Sequence, residues 1–228
     1  MLIGGLQKTS LIDFPKKIAA IVFTHGCNFR CPYCHNPELV SSCHETLDEN
    51  YIFDFLKTRK GKLNGIVVTG GEPCLQKDLI AFLKEIKNFG FEIKLDTNGS
   101  EFNVLEKIIG EKLVDYVAMD IKAPLEKYEG VARTNVNIQN IQKSIKLIMS
   151  SGIDYEFRTT VTRELLDVDD FFDIGEMIQG ANKYFLQKFL FSKVLDESFK
   201  KASSFDEEEF NEAVKILQSY DIKEVHVR

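Results

Sequence analysis

The sequence predicts an α/β fold in which parallel strands alternate with outer helices, and three observations carry that expectation. Short, apolar, β-rich runs bounded by turn residues recur about six times, amphipathic helical stretches lie between them, and glycine-rich or polar punctuation follows the runs on one side. Parallel strands need a crossover, which a helix supplies. The 228 residues are 44% hydrophobic and 28% charged, and no long Pro/Gly/Ser stretch interrupts them. A single domain over residues 1–228 is therefore expected. Six units fall short of a complete eight-fold barrel, whose usual length is about 250 residues. An open partial barrel and a doubly wound sheet both remain.

In chain order, strands are expected at 18–23, 65–69, 91–96, 116–121, 154–161 and 184–189, and helices at 50–59, 77–88, 102–111, 136–150 and 168–179. Leu79, Phe82, Leu83 and Ile86 form the i, i+3, i+4, i+7 stripe of a helix with one buried face, and Ile141, Ile145 and Ile148 repeat it. Residues 1–16 read as an N-terminal extension and 204–228 as a C-terminal helix and strand. The run Asp206-Glu207-Glu208-Glu209 suits the first turn of that helix, where carboxylates face the positive end of the dipole, with Ser203 or Ser204 as candidate caps.

Charge and cysteine usage narrow the function classes. A net charge of -6 without a basic cluster argues against nucleic acid as a partner. Neither a signal-peptide pattern nor a run near the roughly 18 apolar residues of a membrane span is present, so no membrane association and a cytoplasmic location are expected. Five cysteines, an odd number with three crowded together, fit a metal site in a reducing compartment better than a disulfide framework.

Those three lie in Thr24-His25-Gly26-Cys27-Asn28-Phe29-Arg30-Cys31-Pro32-Tyr33-Cys34-His35-Asn36, directly after the first strand. Three thiolates this close, with no fourth at matching spacing, can fix three corners of an iron–sulfur cube and leave one iron open to chemistry. A zinc knuckle completed by His35, Cys43 or His44 is the alternative that this loop allows on its own. The second strand ends in Thr69-Gly70-Gly71-Glu72-Pro73, the third in Asp96-Thr97-Asn98-Gly99 and the fourth in Asp120-Ile121-Lys122. Functional groups of parallel α/β folds gather at such C-terminal strand ends. Gly70 and Gly71 remove side chains where backbone must approach closely, and Glu72 adds an acceptor for a cationic group. Asp96-Thr97-Asn98-Gly99 also has the Asx chemistry of a plain strand-ending turn.

The Cys-x3-Cys-x2-Cys loop with Tyr33 before its third cysteine, followed by the Gly-Gly-Glu-Pro strand end, resembles the radical S-adenosylmethionine (SAM) superfamily. Tyr33-Cys34-His35-Asn36, Leu95-Asp96-Thr97-Asn98-Gly99 and Met119-Asp120-Ile121-Lys122 resemble the activating enzymes of glycyl-radical enzymes. The opening Gly5-Leu6-Gln7-Lys8-Thr9-Ser10-Leu11-Ile12-Asp13-Phe14-Pro15 is most similar to the activating proteins of anaerobic ribonucleoside-triphosphate reductase. The resemblance covers residues 5–190.

It implies an open, partial (β/α)6 TIM-like barrel of parallel strands with outer helices. It implies Cys27, Cys31 and Cys34 as ligands of a [4Fe-4S] cluster whose open iron is chelated by SAM. Tyr33, His35, Gly70, Gly71, Glu72, Asp96, Asp120, Lys122 and Arg158 become candidate cofactor contacts. Lys122 suits the cofactor carboxylate, Asp120 a ribose hydroxyl or a cation, and His35 and Tyr33 the adenine, unless Tyr33 only packs beneath the cluster. Arg158, which alternates with apolar neighbours, points inward to a carboxylate or faces solvent from an edge. Asp96, Thr97 and Asp120 are implied to surround a monovalent cation.

The activity implied is one-electron cleavage of SAM to a 5′-deoxyadenosyl radical that takes hydrogen from a glycine of a partner enzyme, with a flavodoxin or ferredoxin-type electron donor. Cys43 and Cys74 are too isolated to build a second cluster, and Cys74 reads as a small buried hydrophobe. Phe189-Leu190-Phe191 reads as core or as a partner-facing edge. The alternatives are a pyruvate formate-lyase-type activating enzyme, a small-molecule radical SAM enzyme such as 7-carboxy-7-deazaguanine synthase, and a zinc-binding module.

Overall fold

The computed structural model describes residues 1–41, 45–191 and 193–228; Cys43 and His44, weighed above as zinc ligands, lie outside them. The chain divides into two compact units. One comprises Met1–Asn28, Glu38–Thr97 and Glu101–Val117, and the other Phe29–Pro37, Asn98–Ser100 and Ala118–Arg228.

The first unit contains β1 (Ile3–Ser10), β2 (Ala19–Thr24), α1 (Glu49–Lys57), β3 (Gly65–Gly70), α2 (Leu79–Asn88), β4 (Glu92–Thr97) and α3 (Phe102–Gly110). Strands β2, β3 and β4 run parallel, as strand–helix alternation requires, while β1 pairs antiparallel with β2. In register, Ile21, Val67 and Lys94 share one face of the sheet and Val22, Val68 and Leu95 the other. Helix α2 buries Leu79, Phe82, Leu83 and Ile86, the stripe read from the sequence. Each such side chain, fully buried, contributes about 1.5–3 kcal/mol of transfer free energy. Asp48 caps α1 by accepting from Asn50 N–H at 2.6 Å, which satisfies one of the helix's orphan donors.

The N-terminal extension is a strand rather than a leader to one. Of β1 only Ile3 and Ser10 are buried, so apolar alternation there is too weak to announce it, and backbone pairing with β2 makes the strand. The link from β1 to β2 returns under the sheet: Phe14 is 3% exposed and packs on Tyr116 at a centroid separation of 6.0 Å. Gly65 leaves room for that ring, because a Cβ there would lie 2.7 Å from it.

Strand β5 (Tyr116–Asp120) carries the chain into the second unit, which continues with α4 (Tyr128–Ala132), α5 (Ile138–Ser150), β6 (Asp154–Val161), α6 (Asp170–Met177), β7 (Lys183–Lys188), α7 (Glu207–Gln218) and β8 (Glu224–Val227). Strands β6, β7 and β8 are parallel. Phe157, Phe171 and Tyr184 are wholly buried in this unit. Helix α7 begins with a capping box in which Asp206 accepts from Glu209 N–H at 3.0 Å and Glu209 accepts from Asp206 N–H at 2.8 Å. The cap is thus Asp206 and not Ser203 or Ser204; the Ser204 hydroxyl donates instead to the Val161 carbonyl at 3.0 Å. No described helix is long and apolar enough to cross a membrane.

Candidate active site

In the first unit, β2 ends at Thr24 and the chain enters the cysteine loop through Gly26, whose φ of 89° is natural only to glycine. The loop entry is stitched to its surroundings by backbone bonds: Gly26 N–H donates to Leu39 O at 2.8 Å, and Cys27 N–H to Val40 O at 3.2 Å. The end of β3 closes on the same segment, Gly71 N–H donating to Thr24 O at 2.8 Å and Glu72 N–H to Gly26 O at 2.7 Å. A Cβ at Gly70 would stand 2.3 Å from Thr24 N, and one at Gly71 2.1 Å from Gly26 O. The close approach that the glycine pair permits is therefore to the backbone leading into the cysteine loop.

Glu72 is 1% exposed, and its Oε1 accepts from Cys74 N–H at 3.0 Å and from the Thr97 hydroxyl at 2.7 Å. Its carboxylate caps the turn at Pro73–Leu75 and ties it to the end of β4. Cys74 is buried there, as expected of a small hydrophobe, and burial pushes its thiol well up. Asp96 bonds Lys94, two residues earlier on the same face of β4, at 2.6 Å.

In the second unit the remaining loop cysteines meet the ends of β5 and β6. Arg30 N–H donates to Ala132 O at 2.8 Å, Cys34 N–H to Cys31 O at 3.1 Å, and Asp196 N–H to Pro32 O at 3.1 Å. Phe29 packs edge-on against Tyr128. These bonds fix a loop with no regular structure of its own. Cys31 and Tyr33 are buried, Cys34 half-buried, and His35 exposed with its ring stacked on buried Phe189 at 5.5 Å. Leu190 and Phe191, by contrast, are exposed.

Asp120 organises the strand ends: Oδ1 accepts from Arg158 Nε at 2.8 Å and Oδ2 from Lys122 Nζ at 3.0 Å. Arg158 thus points inward rather than to solvent. Burial alone would raise the Asp120 carboxyl, but the Arg158 guanidinium and the Lys122 ammonium outweigh it and hold it well below the ordinary carboxylate range. Lys122 also acts on the loop. Burial raises the Cys31 thiol, while the nearby ammonium opposes that rise. Burial likewise raises the Tyr33 phenol, again against Lys122. The Tyr33 hydroxyl is buried beside the Cys31 thiol, and its contact also opposes the rise of that thiol.

Residues 21–176 match the Radical SAM superfamily. The chain belongs to the radical SAM superfamily. A Methanocaldococcus jannaschii protein named as a glycyl-radical enzyme activating enzyme is 36% identical to this radical SAM protein over 227 residues, covering 96% of this chain and 92% of the relative. The pyruvate formate-lyase-activating enzyme of Clostridium pasteurianum is 34% identical over 128 residues, 53% of this chain and 52% of its own. Within the superfamily the protein falls among the glycyl-radical-enzyme activating enzymes, oxidoreductases that act on a protein substrate.

Streptococcus suis SuiB superposes on 91% of the chain with a TM-score of 0.67 at 12% identity, this chain spanning 48% of SuiB. The structure of anSMEcpe with bound AdoMet superposes on 86% with a TM-score of 0.61 at 14% identity, this chain spanning 57% of it. The likeness carries the fold class, the partial barrel of parallel strands with outer helices.

The cofactors of this radical SAM enzyme are a [4Fe-4S] cluster and SAM, and the groups present suit them. The loop supplies soft thiol donors, Lys122 a half-buried ammonium for a carboxylate, and Tyr33 a buried hydroxyl beside the Cys31 thiol. Among the described residues no three His, Cys, Asp or Glu side chains already form a group that could hold a metal ion. Three residues escaped the sequence reading. Lys94 bonds Asp96, Tyr128 donates to the Asp120 carbonyl at 3.4 Å, and buried Glu156 accepts from Arg228 at 2.9 Å while lying 4.0 Å from Arg158. The signal for Lys94 and Glu156 was present, since each stands two positions before a named candidate and so on its face of the strand.

Proposed function

We propose that Cys27, Cys31 and Cys34 hold the cluster, and that Lys122 receives the carboxylate of SAM. The enzyme then installs a glycyl radical in an anaerobic ribonucleoside-triphosphate reductase. The observation that carries this reading is the Lys122 ammonium, half-buried, oriented by Asp120 and acting on Cys31. An ammonium has three N–H groups; Asp120 accepts one of them, so the group is aimed and can still donate to a ligand. Because Arg158 shares Asp120, the carboxylate stays ionised and Lys122 stays charged. Tyr33 sits between the second and third thiols in sequence and buries its ring beside Cys31, where it offers an apolar surface and a hydroxyl to the nucleoside. The bound pair supplies a one-electron reductive cleavage and the hydrogen abstraction that follows it.

The reductase partner is supported by the segment 5–15, whose similarity to the activating proteins of that enzyme was noted from the sequence and which here builds β1 and the turn that buries Phe14. A flavodoxin or ferredoxin-type protein is the proposed electron donor, and no nucleic acid or membrane takes part. The test is electron paramagnetic resonance after mixing reduced, reconstituted enzyme with SAM and the reductase. A glycyl doublet on the reductase is expected. SAM cleavage without that doublet would defeat the assignment of the reductase as partner, and a doublet on pyruvate formate-lyase instead would name that enzyme in its place.

A further inference from the structure

Lys94 is 3% exposed, bonds Asp96 Oδ1 at 2.6 Å and lies 6.0 Å from the centre of the Tyr116 ring. A lysine is rarely buried this far without a task for its charge. The monovalent cation implied for Asp96, Thr97 and Asp120 does not fit these residues as they stand. Along β4, Asp96 shares a face with Lys94 while Thr97 points to the opposite face, where its hydroxyl donates to Glu72 Oε1 at 2.7 Å. Side chains on opposite faces of one strand do not close around one ion. In the other unit, Asp120 already accepts from both Lys122 and Arg158.

We propose that the Lys94 ammonium is the tethered counter-cation of Asp96, standing where a metal cation would otherwise be needed, so that this enzyme binds its cofactor without added Na⁺ or K⁺. A lysine suits the position better than an arginine, because it is a compact point charge on a stem long enough to reach two residues along its own strand. The tether removes the cost of capturing an ion from solution, and the Tyr116 face adds a second attraction for the cation. The consequence for SAM rests on the reading that Asp96 borders the cofactor; the consequence for ion binding does not.

The experiment uses reconstituted holoenzyme in NaCl, KCl or choline chloride at equal ionic strength. It measures SAM affinity by equilibrium dialysis and sodium binding by the ²³Na linewidth. Wild-type affinity is expected to agree among the three salts within about twofold, and the linewidth to show no saturable broadening, since nonspecific screening is held constant. Lys94→Met should create saturable ²³Na broadening and a SAM affinity about tenfold weaker in choline than in NaCl or KCl, the scale of one lost charge-assisted interaction. A wild-type enzyme that binds sodium saturably and weakens severalfold in choline overturns the proposal, and this arm stands whether or not the variant folds. A folded Lys94→Met that shows no cation dependence overturns it as well. If SAM binds in no salt at all, the cofactor-site reading fails, and the ²³Na titration still decides the role of Lys94.

Discussion

Arg158 grips the end of β5 twice, through side chain and backbone. Its Nε donates to Asp120 Oδ1 at 2.8 Å, and its carbonyl accepts from Ile121 N–H at 2.8 Å. The next residue repeats the pattern, the Thr159 hydroxyl donating to Ile121 O at 2.7 Å and accepting from Tyr184 at 2.5 Å. Lys122 therefore leaves a strand end whose position is set by β6 and β7. Arg158→Met should lower the unfolding free energy of the apoprotein by about 2–3 kcal/mol, less than for a wholly stranded carboxylate because Lys122 remains on Asp120. Urea titration measures it, and SAM affinity should fall in the same variant.

Acid should erase part of that stability. A carboxylate whose folded pKa lies below its unfolded one contributes stability above its ordinary range and loses it as pH falls through that range. Asp120 is such a group, and Asp196, held by Arg133 to about 2, is another. Melting temperatures of apoprotein should fall steeply below pH about 4, and the gap between wild type and Asp120→Asn should narrow over the same interval. A gap that stays constant from pH 6 to 3 would contradict the assignment.

Gly71→Ala forces a methyl group to 2.1 Å from Gly26 O, a backbone atom that has no rotamer with which to retreat. A loss of about 2–4 kcal/mol is expected, together with poor iron retention after reconstitution. Gly110→Ala, at the end of α3 with open space around its Cβ, should be neutral or stabilising by up to about 1 kcal/mol. Comparing the two by denaturant titration separates crowding from generic glycine effects.

The two buried cysteines should part company on replacement. Cys31→Ala is expected to abolish retention of the full iron complement. Cys74→Ala, 3% exposed with the Thr97 hydroxyl 3.7 Å from its sulfur, should keep the iron and lose about 1–2 kcal/mol of stability as a small core truncation. Iron and sulfide analysis after anaerobic reconstitution distinguishes them.

Much of this was legible in the residues. Strand–helix alternation located β2 through β7 to within a residue or two, because parallel strands buried on both faces read as continuous apolar runs. Strand β1 was not legible, since Gly4-Gly5-Leu6-Gln7-Lys8 has no apolar period and its pairing is a backbone affair. The alternation of Arg158 with apolar neighbours left an inward and a solvent-facing side chain both open, and Asp120 decides between them; the partners of Glu72 were not legible at all. Its carboxylate is taken up by Cys74 N–H and Thr97 across 25 residues of chain, a link that only the folded backbone creates. Lys94 carries its signal only through alternation, standing two residues before Asp96 on the same face of β4.

The bonds from Gly71 and Glu72 back to Thr24 and Gly26 make the glycine pair and the entry to the cysteine loop a single mechanical part, although Gly26 and Gly70 lie 44 positions apart in the chain. A protein engineer who grafted only the loop from Gly26 to Asn36 onto another parallel sheet would carry the thiols without the seat on which they are mounted. The transferable cassette is two adjacent strand ends, cut together.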